Sequence, residues 1–201
     1  MIQAWFPTLI FEESLKEFTQ HNQYLANKAQ ALKAKFNSKV NTNWACDTFN
    51  TLNTYNPKQD NDQIINKFIE TCKQHVLNFS KEYGIKKEIQ DLDCSDFWFN
   101  IAMPGNYQEL HQHTNSHFSA VYYVSAEKEA GDITFKSADA FTDMFNLPVD
   151  DRDLTAASCK SCSYSPINST LLIFRSNLLH EVRKNLSGSD RISISMNFKF
   201  K

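Results

Sequence analysis

Three histidines and an arginine–serine pair carry the chemistry legible in this chain. His111 and His113 stand two apart in an apolar, aromatic stretch. His180 follows the run Thr170-Leu-Leu-Ile-Phe174, and Arg191-Ile-Ser193 opens the closing run to Phe198. In a strand, residues two apart point to the same face, so His111 and His113 can aim inward together and grip one metal ion. His180 reaches the same ion only if another strand carries it alongside. By the same rule Arg191 and Ser193 share a face, and a guanidinium fork beside a hydroxyl suits a carboxylate. A metal triad beside a carboxylate clamp fits a non-haem iron site that takes 2-oxoglutarate.

Positioning such a set calls for many short strands on a firm support. From Asp96 onward the hydrophobic period is two, and strands are expected at 96–103, 107–113, 117–125, 132–136, 170–174, 179–184 and 191–199. Residues 137–165 lack a clear period and read as an insertion or lid. Before Asp96 the period is helical. Residues 12–36 predict one helix, with Leu15, Phe18, Leu25, Ala29, Leu32 and Phe36 among its apolar positions. A second helix is expected from a cap at Asp60 or Asn61 to about Tyr83, with Gly84 as the stop. Residues 2–11 read as an extended segment that Pro7 demotes to an edge strand, and 37–59 as loop. Helices first and then many strands predict an α+β fold: a jelly-roll barrel backed by N-terminal helices. One domain over 1–201 is expected, with 1–95 as a mostly helical support layer and 96–201 as the core.

Composition narrows the classes. Hydrophobic residues make up 41% and aromatic residues 13%, which argues for a packed globule. A net charge of -2 without a basic stripe does not indicate a nucleic-acid partner. No apolar run reaches the length of a membrane span, and the first seven residues lack the features of a signal peptide. Cys46, Cys72, Cys94, Cys159 and Cys162 are an odd, scattered set and read as free thiols in a reducing cytoplasm. Cys159-Lys-Ser-Cys162 has CxxC spacing, but no second pair completes a zinc site. The substrate stays open among proteins, small metabolites and nucleotides, and so does the oligomeric state, a homodimer being one option.

The third ligand position has rivals. Glu109 shares the face of His111 and His113 and offers a carboxylate; His117 and Asp132 are further candidates. His21 and His75 fall on the helices and read as surface residues.

At these residues the chain resembles the 2-oxoglutarate- and Fe(II)-dependent oxygenase superfamily, in particular a branch of small oxygenases of bacteria and phages. The resemblance covers roughly 96–200. It rests on Phe97-Trp-Phe-Asn100, Pro104-Gly105, His111-Gln-His113, Ser119-Ala-Val-Tyr-Tyr-Val124, Gly131-Asp-Ile-Thr-Phe135, the Leu171-to-His180 segment and Arg191-Ile-Ser-Ile-Ser195, with Trp5-Phe-Pro-Thr-Leu9 fitting as well. It implies a double-stranded β-helix, Fe(II) on His111, His113 and His180, and 2-oxoglutarate held by Arg191 and Ser193. By similarity to prolyl-hydroxylase-like members, Tyr123 also holds the distal carboxylate. Two departures stand out: His113 occupies the position of the usual carboxylate ligand, and the usual Ser-Gly before the Val-Tyr-Tyr run reads Ser119-Ala120.

The leading expectation is therefore a dioxygenase that hydroxylates a C–H bond, with the metal doing the hard chemistry while the protein holds geometry and excludes water. Two alternatives stand beside it. Gly105-x5-His111-x-His113-x3-His117 approximates a cupin metal motif, which implies a three-histidine enzyme indifferent to 2-oxoglutarate. A non-catalytic jelly-roll binding module is the third.

Overall fold

The computed structural model describes residues 1–3, 5–36, 46–86, 88–89, 91–141 and 147–201. Its elements run β1 (Ile10–Ser14), α1 (Asn22–Phe36), β2 (Phe49–Asn50), α2 (Pro57–Asp60), α3 (Gln63–Ser80), β3 (Leu92–Ala102), β4 (Gln108–His111), β5 (Phe118–Ser125), β6 (Ile133–Lys136), β7 (Ser161–Tyr164), β8 (Thr170–Arg175), β9 (His180–Val182) and β10 (Arg191–Phe200). The strands form two sheets, one ordered β1-β8-β5-β10-β3-β2 and one ordered β4-β9-β6-β7. Every strand pairing is antiparallel. The fold is thus mixed helix and antiparallel sheet. Among the described residues no helix is long and apolar enough to cross a membrane.

Alternation along the central strands sorts side chains into two layers. On β10, Ile192, Ile194, Met196 and Phe198 join the larger core with the helices. Arg191, Ser193, Ser195 and Asn197 point the other way and line a cavity. On β5, Ala120, Tyr122 and Val124 face the helices, while Val121 and Tyr123 join a smaller core with Ile133 and Phe135 of β6 and with Leu172 and Phe174. Helix α3 buries Ile65, Phe68, Cys72, Val76 and Phe79 on one stripe, the spacing of a helix packed on a sheet. Asp62 starts it, its Oδ1 accepting from the amides of Ile64 (3.0 Å) and Ile65 (3.1 Å). It runs into a 3-10 turn over Lys81–Tyr83 closed by Gly84 at φ 69°, as the stop signal predicts.

Several expected boundaries move. The helix expected over 12–36 is three elements: the end of β1, a 3-10 turn over Lys16–His21, and α1. Residues 10–14 pair with 174–170 of β8, and that ladder overrides the local helical period. The expected edge strand at 2–11 is displaced to Ile10–Ser14, and it does lie at a sheet edge. The expected loop at 37–59 contains β2 and the start of α2, and its residues 37–45 lie outside the described residues. The expected insertion at 137–165 hides β7, which pairs with β6 across Phe135↔Cys162; residues 142–146 lie outside the described residues. The strand expected over 107–113 stops at His111.

Candidate metal and anion site

The cavity between the sheets, about 270 Å³, is where the chemistry collects. His111 ends β4 and His180 starts β9, and the two are register partners. His113 lies just beyond β4, its backbone amide bonded to the Ser176 carbonyl at 2.8 Å. One ring nitrogen from each imidazole lies within 4.8 Å of the others, close enough for a single ion to bridge all three.

The tautomer of each ring follows from its neighbours. His111 Nδ1 is 2.7 Å from the Glu109 carbonyl oxygen, and His180 Nδ1 is 2.8 Å from that of Leu178. A carbonyl oxygen only accepts, so each Nδ1 carries the proton. His113 Nδ1 stands 2.6 Å from Asn197 Oδ1 and 3.0 Å from Ser119 Oγ. Asn197 Nδ2 donates to Asp96 Oδ2 at 3.0 Å, which fixes the amide with its oxygen toward His113. All three rings therefore place the lone pair on Nε2. Burial holds all three below the ordinary histidine pKa, His180 furthest because it is the most enclosed. The rings are accordingly neutral at pH 7, the form a metal requires.

Arg191, 5% exposed, lines the same cavity. Its Nη1 donates to the carbonyls of Ala130 (2.6 Å) and Gly131 (3.0 Å). No carboxylate pairs with it among the described residues; neighbouring Asp190 instead accepts from Gln30 Nε2 at 3.1 Å. Burial lowers the guanidinium pKa, and Tyr123 opposes that shift. Gly131 sits at φ 94°, and a Cβ there would overlap the Arg183 carbonyl and stand 2.9 Å from Arg191 Nη1. Only glycine lets the backbone approach the guanidinium this closely. Ser193 and Tyr123 are cross-strand partners and both line the cavity. Burial raises the Tyr123 phenol well above its usual range, so it stays protonated as a donor.

The expected residues His111, His113, His180, Arg191, Ser193 and Tyr123 are thus all brought to one cavity. The rival candidates are not. His117 is exposed, and its Nδ1 accepts from the Phe200 amide at 3.2 Å. Asp132 accepts from Ser165 Oγ at 2.9 Å. Glu109 lines a separate outer groove with Arg183 and Lys184. His21 and His75 are half-buried rather than on the surface, packed against Phe18 and Phe11 respectively. Cys159 and Cys162 lie on the β7 side of the insertion, and neither lines the cavity.

Sequence reasoning missed Asn197, Asp96, Ser119 and Trp98, whose ring centroid is 5.6 Å from that of His113. The parity that selects Arg191 and Ser193 also selects Ser195 and Asn197, so the closing strand carried that signal. The remaining lining mixes neutral polar side chains, such as Asn50, Asn100 and Gln112, with apolar ones, such as Leu52, Ile133 and Phe174.

Three neutral imidazoles share one cavity with a buried guanidinium that has no carboxylate partner among the described residues, a donor set that could hold a metal ion beside an anion. Residues 96–197 match the model of the family described as "Putative 2OG-Fe(II) oxygenase", and the chain belongs to that family. It is an oxidoreductase of the dioxygenase class, using Fe(II) and 2-oxoglutarate. That membership favours the 2-oxoglutarate reading over the cupin and non-catalytic ones.

Solved structures of the same fold include a Pseudomonas putida prolyl-4-hydroxylase, with 15% identity over 96% of this chain and 94% of that one at a TM-score of 0.68. A viral collagen prolyl hydroxylase from Paramecium bursaria Chlorella virus-1, solved with 2-oxoglutarate, shares 15% identity over 94% of each chain at a TM-score of 0.57. HygX from Streptomyces hygroscopicus, with nickel and 2-oxoglutarate bound, shares 11% identity over 96% of this chain and 83% of that one at a TM-score of 0.57. No curated protein matches the chain.

Proposed function

We propose that His111, His113 and His180 hold the Fe(II) and that Arg191, Ser193 and Tyr123 hold the distal carboxylate of 2-oxoglutarate. The observation that carries this reading is the buried Arg191 without an acid partner, in the same cavity as three imidazoles whose Nδ1 protons are already spent on acceptors. An isolated buried cation is costly, and a dicarboxylate co-substrate supplies the missing anion. When bound, Fe(II) with 2-oxoglutarate supplies the oxidising power to hydroxylate a C–H bond, with succinate as co-product.

The chain's own groups bind and orient. Arg191 keeps Nη1 anchored on Ala130 and Gly131, so its fork is held still before the co-substrate arrives. Tyr123, opposite Ser193 in register, adds a phenolic donor and Ser193 a hydroxyl to the same carboxylate. Val121, Ile133 and Phe174 form an apolar wall beside them, which excludes water and strengthens the pairing.

The two sheets are read here as the halves of a double-stranded β-helix, and residues 1–201 as one domain with 1–95 as its support layer. The similarity to prolyl hydroxylases supports the first point, and the shared helix–sheet core supports the second. The substrate is taken to be a small molecule or a protein segment in a cytoplasmic setting, with no nucleic-acid backbone given the net charge of -2. The test is an anaerobic Fe(II) titration with and without 2-oxoglutarate, followed by a succinate-release assay. Tighter Fe(II) binding with 2-oxoglutarate and turnover-linked succinate are expected. Binding of Fe(II) with no response to 2-oxoglutarate would remove the Arg191 assignment.

A further inference from the structure

Three neutral ligands leave a divalent ion at its full charge, with no carboxylate among the nitrogen donors. A carboxylate does stand one hydrogen-bonded residue further out. Asp96 on β3, Asn197 on β10 and Ser119 on β5 are register partners across the central sheet. Asp96 Oδ2 accepts from Asn197 Nδ2 at 3.0 Å, and Asn197 Oδ1 is 2.6 Å from His113 Nδ1. Ser119 Oγ donates to the same Oδ1 at 2.8 Å and meets Ser176 Oγ at 2.9 Å. His111 and His180 instead each place Nδ1 on a backbone carbonyl two residues before itself, that of Glu109 and that of Leu178.

We propose that Asp96 and Asn197 are positioning residues for His113, relaying a carboxylate's negative charge to that imidazole and fixing its ring and tautomer for the metal. The inference rests on His113 being a ligand, as proposed above. The donor–acceptor order allows one arrangement only. A carboxylate cannot donate, so Asn197 must present Nδ2 to Asp96 and Oδ1 to His113, and Nδ1 of His113 must donate. Partners of this kind orient a ligating histidine and raise its basicity, and their loss typically costs 10–100-fold in metal affinity. The Asp96 charge also opposes the burial that pushes the His113 imidazole toward low pKa. Asp96 is only half-buried, with Ser95 Oγ donating to the same oxygen at 3.0 Å, so its charge can be removed without opening the core.

The experiment is anaerobic Co(II) titration, read by its visible absorption, on the full chain. Asp96→Asn keeps an acceptor oxygen for Asn197 and removes only the charge; it should weaken Co(II) binding by about tenfold. Asn197→Leu severs the relay and should weaken it at least as much. The exchange variant Asp96→Asn/Asn197→Asp returns a carboxylate directly to His113 and should restore affinity to within about threefold of wild type, since a negative charge again supports that imidazole. Long-range proton–nitrogen NMR of the metal-free protein supplies a readout that mere destabilisation would not move. In Asn197→Leu the His113 ring should lose its Nδ1-protonated tautomer while His111 and His180 keep theirs. If His113→Ala abolishes Co(II) binding but Asp96→Asn and Asn197→Leu bind like wild type, the relay is overturned and the ligand set stands. If His113→Ala binds Co(II) like wild type, His113 is not a ligand and both readings fall.

Discussion

His111 and His180 face each other directly across the β4–β9 ladder, with ring centroids 4.2 Å apart. The third ring, His113, stands 5.3 Å from His111 and 5.2 Å from His180. The pair ties two strands from distant parts of the chain into one edge of the cavity. If these rings hold the metal, His180→Ala should weaken Fe(II) or Co(II) binding by more than the ~10–100-fold that loss of a supporting residue costs. Titration calorimetry checks it, and wild-type affinity in His180→Ala would remove the three-histidine assignment.

Arg191 should dominate co-substrate affinity. Truncating one partner of a buried, hydrogen-bonded charge pair costs about 2–5 kcal/mol, so Arg191→Ala should weaken 2-oxoglutarate binding by roughly 30-fold or more. Arg191→Lys should also weaken it, because an ammonium cannot reproduce the planar fork. Calorimetry with the metal-loaded protein decides, and unchanged affinity in Arg191→Ala would leave the carboxylate without its clamp.

Acid should unfold the helical layer in part through Asp62 and Asp60. Burial alone would raise the Asp62 pKa, but hydrogen bonds from Tyr24 Oη (2.5 Å) and the α3 amides, together with Lys28, hold it below the usual value. Asp60, bonded by Lys28 and Tyr55, is lowered as well. A carboxyl lowered on folding stabilises the protein above its unfolded pKa of ~4, and that stability is lost as pH falls through the folded value. Asp62→Asn keeps the helix cap and loses the charge. Its melting temperature should lie below wild type at pH 7, and the gap should shrink as pH falls below ~4. A gap constant with pH would show that the charge contributes nothing.

Phe68 is fully buried and meets Phe18 at 5.1 Å and Tyr122 at 4.9 Å, both edge to face. It joins α3 to the sheet that carries the cavity. Phe68→Ala should cost about 3–5 kcal/mol in stability, read by urea denaturation. A loss under ~1 kcal/mol would mean that the helical layer is not packed on the sheet as described, since loss of so large a buried side chain costs several times that.

The sequence by itself determined which residues could do chemistry, because strand alternation is a local property. Two positions apart is the same face whether or not the partner strand is known, so Arg191 with Ser193 was legible on β10; His111 with His113 was reached by the same rule although β4 stops at His111 and the Ser176 carbonyl holds the His113 backbone. The apolar stripe and the Gly84 stop of α3 were legible for the same local reason. Only the tertiary structure decided what depends on register. Residues 10–14 became strand because β8 was there to pair with them, and β7 emerged from a stretch without period because β6 supplied its ladder. The shift between Ile192 and Ser193 sets Ser193 opposite Tyr123 rather than Val124, which no count along either strand reveals. The line Asp96–Asn197–Ser119 joins three strands, and its middle member lies 101 residues from Asp96 and 78 from Ser119 in the chain. Pairing energies, side-chain packing and bulges fix such alignments collectively, so the relay to His113 exists only once the sheet has closed its register.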